Sequence, residues 1–152
     1  MNIVAIGAHP DDLEIFAYGF LAAASSRGDN LILGVATDGA AGGVNQGAEL
    51  ARQRAEEAKN GLAALGTPTL LDLPDGQLAD APNAQNRIKD FIRNAAPDLV
   101  ITHAPEDYHP DHRALAAYVR DAAGFICPVL FCDTLMGVGF TPDYYIDITP
   151  HF

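Results

Sequence analysis

Asn2-Ile3-Val4-Ala5-Ile6-Gly7-Ala8-His9-Pro10-Asp11-Asp12-Leu13-Glu14 is the stretch that decides how this chain is read. Its first six residues are an apolar run closed by glycine, the pattern of a strand buried on both faces of a parallel sheet. A histidine and two aspartates follow at once, where such a strand would leave the sheet. A second acidic histidine motif, His109-Pro110-Asp111-His112-Arg113, comes about a hundred residues later, after the apolar run Leu99-Val100-Ile101-Thr102.

Strand and helix signals alternate between and beyond these motifs. Asp11 or Asp12 opens a helix that runs to about Ser26 and is stopped by Arg27-Gly28-Asp29. Leu31 to Ala36 reads as a second strand, residues 38–48 as a glycine-rich loop, and Glu49 to Leu65 as a polar helix stopped by Gly66. Leu70 to Leu73 is a third strand, Pro74-Asp75-Gly76 a turn, and Ala84 to Asn94 a helix before the fourth strand, Leu99 to Thr102. The second histidine motif leads into a helix from Asp111 to about Ala123. Val129 to Asp133 makes a fifth strand and Tyr144 to Ile148 a sixth.

This alternation predicts an α/β fold: a Rossmann-like three-layer α/β/α arrangement with a mainly parallel sheet of core order 3-2-1-4-5. Such sheets place ligands beyond the C-terminal strand ends, where the strand order reverses. Strands one and four are neighbours there, so the two histidine motifs are expected to meet in one crevice. No linker or repeat divides the chain, and residues 1–152 read as a single domain.

Composition narrows the function classes. Hydrophobic residues make up 49% of the chain, as a globular core requires, and 9 basic against 20 acidic residues give a net charge of −11. That balance argues against nucleic acid or an anionic membrane as partner and mildly favours a neutral or cationic ligand. Cys127 and Cys132 fall five apart on an expected strand and point to opposite faces, which excludes a CxxC metal pair and disfavours a disulfide. Two buried thiols fit a reducing cytoplasm. Met1-Asn2 runs straight into a strand without a basic leader, and the apolar stretch from Ile15 to Ser25 is too short to span a bilayer. A soluble cytoplasmic protein is expected.

Imidazole and carboxylate are ligands for a divalent metal, and zinc is the first candidate for such a mixed set. A structural alternative exists for the aspartates. Asp11, Asp12 and Asp111 all stand at helix starts, where acids satisfy free N–H groups and the helix dipole. Capping does not call for His9, His109 or His112, and three of the five histidines converge on the expected crevice.

At these residues the chain resembles the zinc-dependent N-acetylglucosaminyl deacetylases of the PIG-L/LmbE-like family. That family carries an AHPDDE signature near its N-terminus and an HPDH-type signature later. Here they read Ala8-His9-Pro10-Asp11-Asp12-Leu13-Glu14, with one residue before the Glu, and His109-Pro110-Asp111-His112. Weaker features follow in order: Thr37-Asp38-Gly39, Arg54-Ala55-Glu56-Glu57-Ala58, Leu73-Pro74-Asp75-Gly76, Pro97-Asp98-Leu99-Val100 and Tyr145-Ile146-Asp147-Ile148-Thr149.

The resemblance implies a zinc held by His9, Asp12 and His112, with water completing the site and Asp11 as general base. It implies a protonated His109 that stabilises the oxyanion and donates a proton to the departing amine. Asp111 would orient one of the two histidines flanking it. Arg54 matches a family arginine that contacts substrate; its bland alternative is an i,i+3 or i,i+4 contact near Glu57 on a solvated helix face. Glu14 and Asp98 also fall in recurrent positions, and Glu14 equally suits a helix first turn. His103 ends strand four and stays outside the expected zinc shell.

The loop Asp38 to Gly47 lacks both a GxGxxG and a Walker pattern, so a lid over a sugar suits it better than a phosphate cradle. Family members usually continue past the Asp-Ile-Thr segment, so a C-terminally shortened domain is expected, with association into a homo-oligomer as one consequence. The expected activity is removal of acetyl from an N-acetyl sugar. An amidase acting on a larger acyl group and a non-catalytic sugar- or nucleotide-binding protein are the alternatives. Ferrous iron is the alternative metal.

Overall fold

The β1 run (Asn2–Gly7) pairs in parallel with β2 (Asn30–Thr37) on one side and with β4 (Leu99–His103) on the other. The computed structural model describes residues 1–134, 139 and 141–151. β3 (Thr69–Leu73) and β5 (Val129–Cys132) lie at the edges, giving the order β3-β2-β1-β4-β5 with every pairing parallel among the described residues. This is the order the sequence predicts.

Alternation along β1 assigns the layers. Val4 and Ile6 join one core with Ile88 and Ile92 of α3 (Ala84–Asn94) and Leu115 and Val119 of α4 (Pro110–Ala123). Ile3 and Ala5 join the other with Leu21 and Ala24 of α1 (Tyr18–Ser26) and with Leu62, which follows α2 (Ala48–Gly61). Both faces of the strand are covered, which is why its sequence is apolar without interruption. Cys127 packs against the first core and Cys132 against the second, both as free thiols. Burial pushes the Cys132 thiol up to about 12. No helix among the described residues is long and apolar enough to cross a membrane.

Three expectations change. The first helix begins as a π-helical stretch, Leu13–Ala17, before the regular turns of α1. Such a widened turn inserts a residue without breaking the helix and recurs at functional sites. The second helix stops at Gly61 rather than Leu65, because Leu62 turns wholly into the core and Gly66, at φ +146°, reverses the chain toward β3. The sixth strand does not form. Residues 144–148 are irregular and join no strand among the described residues, and Tyr144 and Tyr145 stand at 80% and 86% exposure. Ile148 instead packs on Gly19 of α1, where a Cβ would lie 2.7 Å from it.

Candidate metal centre

The loops after β1 and β4 leave the sheet side by side, and the cleft between them has a volume of about 390 Å³. His9, Asp12 and His112 meet on its floor. His9 Nδ1 lies 3.2 Å from His112 Nε2 and 3.4 Å from Asp12 Oδ2, and His112 Nε2 lies 3.4 Å from Asp12 Oδ1. Three donors bound tetrahedrally at about 2.0–2.1 Å stand about 3.3–3.4 Å apart. His9 and His112 each face a different oxygen of Asp12, so the three side chains bracket a space of the size a divalent metal occupies.

Asp12 does not spend its carboxylate as a helix cap. It makes no side-chain capping bond and instead accepts from the His9 N–H at 2.7 Å. Burial opposes its charge, but His103, His112 and His9 around it hold its pKa well below the ordinary value. Burial likewise works against protons on His9 and His112. The hydrogen bonds and charge of Asp12 outweigh it, with Asp75 and Asp111 helping at His9 and Asp107 at His112, so both imidazoles are raised above 6.5.

Three further groupings surround this triad, and in the first of them His109 offers a ligand atom beside His9 and His112. Asp12, His103 and His112 also offer ligand atoms close together. His103, however, stacks on His112 at 3.6 Å and 13°, which aims their nitrogens along parallel rather than convergent lines. Its Nε2 also accepts the Ala8 N–H at 2.9 Å. His103 thus supports the His112 ring from behind, and burial lowers its pKa.

His9, Asp75 and Asp111 form the third grouping. Both carboxylates lie 3.3 Å from His9 Nε2. Asp111 already accepts the N–H groups of Gly76 at 2.7 Å and Leu78 at 3.0 Å, and Asp75 accepts the N–H of Ala41 at 2.9 Å. These acceptors are engaged by protein, so they orient His9 and leave its Nδ1 for a metal. Asp111 was expected to orient a neighbouring histidine; across the crevice it faces His9 instead.

His109 caps α4. Its Nδ1 accepts the Asp111 N–H at 3.2 Å, which leaves the proton of a neutral ring on Nε2. Burial, with His9 and His112 nearby, lowers its pKa. In this arrangement the His109 Nε2 is the nitrogen left to donate. Asp11 lines the same cleft with its side chain 52% exposed. Its pKa is raised, by burial first and against the pull of Arg54.

Arg54 makes no bond to Glu57, which pairs with Gln53; its guanidinium reaches Asp11 at 2.8 Å. Glu14 does not line the cleft. It lies against Gly61, where a Cβ would meet its Oε1 at 2.9 Å, and burial raises its pKa. Asp98 holds the start of β1 through the Asn2 N–H at 2.7 Å. Asp75, quoted above only within the Leu73-Pro74-Asp75-Gly76 turn, and Asp107 also belong to the site. Asp107 accepts the His109 N–H at 2.9 Å and faces His112 Nδ1 at 3.1 Å. The Pro-Asp-Gly turn after β3 was a usable signal for Asp75.

A family profile described as "PIG-L: GlcNAc-PI de-N-acetylase" matches residues 4–123, a span holding both loops and every donor above. The chain belongs to the PIG-L family. The Escherichia coli K12 protein described as "Uncharacterized deacetylase YaiS" is 33% identical over 125 residues, which cover 75% of this chain and 63% of YaiS. Among solved structures, the N,N'-diacetylchitobiose deacetylase of Pyrococcus horikoshii superposes with a TM-score of 0.85 at 24% identity, covering 98% of this chain and 64% of that one. GalB, the 4-carboxy-2-hydroxymuconate hydratase of Pseudomonas putida KT2440, gives 0.85 at 22%, covering 99% and 74%. The chain thus spans somewhat under two thirds of YaiS and of the chitobiose deacetylase. Structural likeness at these identities speaks for the PIG-L fold, which serves a hydratase as well as a deacetylase.

Proposed function

We propose that this chain is a metal-dependent N-deacetylase that removes acetyl from an N-acetylglucosaminyl conjugate or a related N-acetyl sugar. The observation that carries the reading is the convergence of His9 Nδ1 and His112 Nε2, 3.2 Å apart, on the two carboxylate oxygens of Asp12 at 3.4 Å each, opening on a cleft that Asp11 and His109 also line. Zinc suits the donor set, and ferrous iron suits it too.

When bound, the ion would supply Lewis acidity, making water more acidic and polarising the amide carbonyl. Asp11 accepts the proton of the attacking water, and its raised pKa makes it a better base than an ordinary carboxylate. His109 donates from Nε2 to the carbonyl oxygen as negative charge develops there. Protonated Asp11 then returns the proton to the departing amine. Asp111 and Asp75 hold His9 in place throughout, and Asp107 does the same for His112.

Ile15 and Tyr108 line the cleft while remaining 60% and 58% exposed. That apolar rim favours a second reading in which the same site releases a larger acyl group. The test is acid release from N-acetylglucosamine conjugates and from an acyl-length series, on protein loaded with zinc or ferrous iron and on chelated protein. The deacetylase reading expects metal-dependent acetate release that declines with acyl length. Activity rising with acyl length would favour the second reading, and bound metal without turnover would contradict both.

A further inference from the structure

Arg54 leaves α2 toward the loop after β1 rather than along its own helix. Its Nη2 donates to the Pro10 carbonyl at 2.9 Å and to Asp11 Oδ2 at 2.8 Å, and its Nη1 donates to the Gly39 carbonyl at 3.2 Å. The guanidinium is mostly enclosed, with 14% of the side chain exposed. The glycine-rich loop is shaped around it: a Cβ on Gly42 would collide with Nη1, and one on Gly39 would come within 3.0 Å.

At the same place Asp11 adopts φ +138°, a backbone region that L-residues rarely enter. Such a conformation persists only where the surroundings over-determine it. Arg54 supplies that determination, since one planar fork grips both the carbonyl before Asp11 and the Asp11 carboxylate. Three of its five N–H groups are thus spent on Pro10, Asp11 and Gly39, at the wall of the cleft that Arg54 lines.

We infer that Arg54 is a positioning residue: it fixes the Asp11 carboxylate beside the His9–Asp12–His112 triad and ties the glycine-rich loop to it. This rests on the role given to Asp11 above. A misplacement of about 1 Å at a reacting group can cost about a hundredfold in rate, so the effect belongs in kcat. Lysine, a point charge without the fork, is a poor replacement.

The experiment compares Arg54→Ala, Arg54→Lys, Asp11→Asn and the Ala/Asn double variant, with bound metal quantified in each. Arg54→Ala is expected to lower kcat by about 10- to 100-fold with KM within about twofold. Added guanidinium should restore at least about fivefold of that loss in Arg54→Ala. In the Asp11→Asn background the same change should cost less than about twofold, because the two residues act as a unit. A KM rise of about tenfold with kcat retained would overturn the inference and give Arg54 to the substrate. If Arg54→Ala fails to fold, Arg54→Lys decides by the same split between kcat and KM.

A crystal structure of Arg54→Ala separates this inference from the reading it rests on. If wild type turns over no acylated sugar, the deacetylase reading fails. The positioning role still stands if Asp11 relaxes from its positive φ in the variant, and falls if Asp11 stays where it is.

Discussion

His9 Nδ1 and His112 Nε2 approach to 3.2 Å although 103 positions separate them in the chain. The sheet brings them together. β1 and β4 are direct neighbours, and each histidine lies beyond the C-terminal end of one of them. The switch in strand order thereby becomes a set of ligands. His9→Ala, Asp12→Ala and His112→Ala should each weaken metal binding by at least about a hundredfold, read as bound metal per chain after dialysis. His103→Ala should retain metal within about tenfold, because its Nε2 is occupied by the Ala8 N–H. Equal loss in His103→Ala would instead favour the grouping of Asp12, His103 and His112.

Asp111 and Asp75 make a separate prediction. Both face His9 Nε2 at 3.3 Å, and neither belongs to the triad. Asp111→Asn and Asp75→Asn should each reduce metal affinity by about 10- to 100-fold, the usual cost of losing a group that orients a ligand. Isothermal titration with zinc measures this. Affinity unchanged in both would mean that packing alone holds the His9 ring.

Much of this was legible in the sequence. The apolar run of β1 and the expected switch in strand order are enough to bring both histidine motifs to one crevice. Their neighbours were harder to read, because Asp75 reaches His9 from the turn after β3 and Arg54 reaches Asp11 from α2. Contacts between separate segments leave no periodic trace along a chain. The sixth strand failed for a related reason. Tyr144 to Ile148 have the composition of a strand, but composition says nothing of whether a partner edge stands beside them.

The titration of the triad sets a pH dependence. His9 and His112 are both raised above 6.5, so in metal-free protein their charged contacts with Asp12 are fully stabilising below that value. That contribution is lost as pH rises through the raised pKa values. Metal binding needs both rings neutral and runs the other way, gaining affinity as pH rises across the same window. Zinc affinity is expected to be at least about tenfold higher at about pH 8 than at about pH 6. Calorimetry in buffers of different ionisation enthalpy should register net proton release. A pH-independent affinity would contradict the protonated triad.

Gly34 tests the packing that carries the site. A Cβ there would lie 2.7 Å from the ring of Phe91 and 3.3 Å from Ile6, so the Phe91 ring or the helix that carries it would have to move. Gly34→Ala should destabilise the fold by about 1–3 kcal/mol through overpacking. Urea unfolding read by far-UV circular dichroism checks this, and a neutral outcome would mean that Phe91 finds another rotamer at no cost.

A metal held by His9, Asp12 and His112 is expected to work together with Asp11 as base. The most direct test is acetate release from an N-acetylglucosamine conjugate by zinc-loaded wild type and Asp11→Asn, with bound metal measured on the same samples. The account predicts that Asp11→Asn keeps its metal and loses at least about a hundredfold in kcat, in keeping with the usual contribution of a general base. Undiminished turnover in Asp11→Asn, with metal bound, would contradict it.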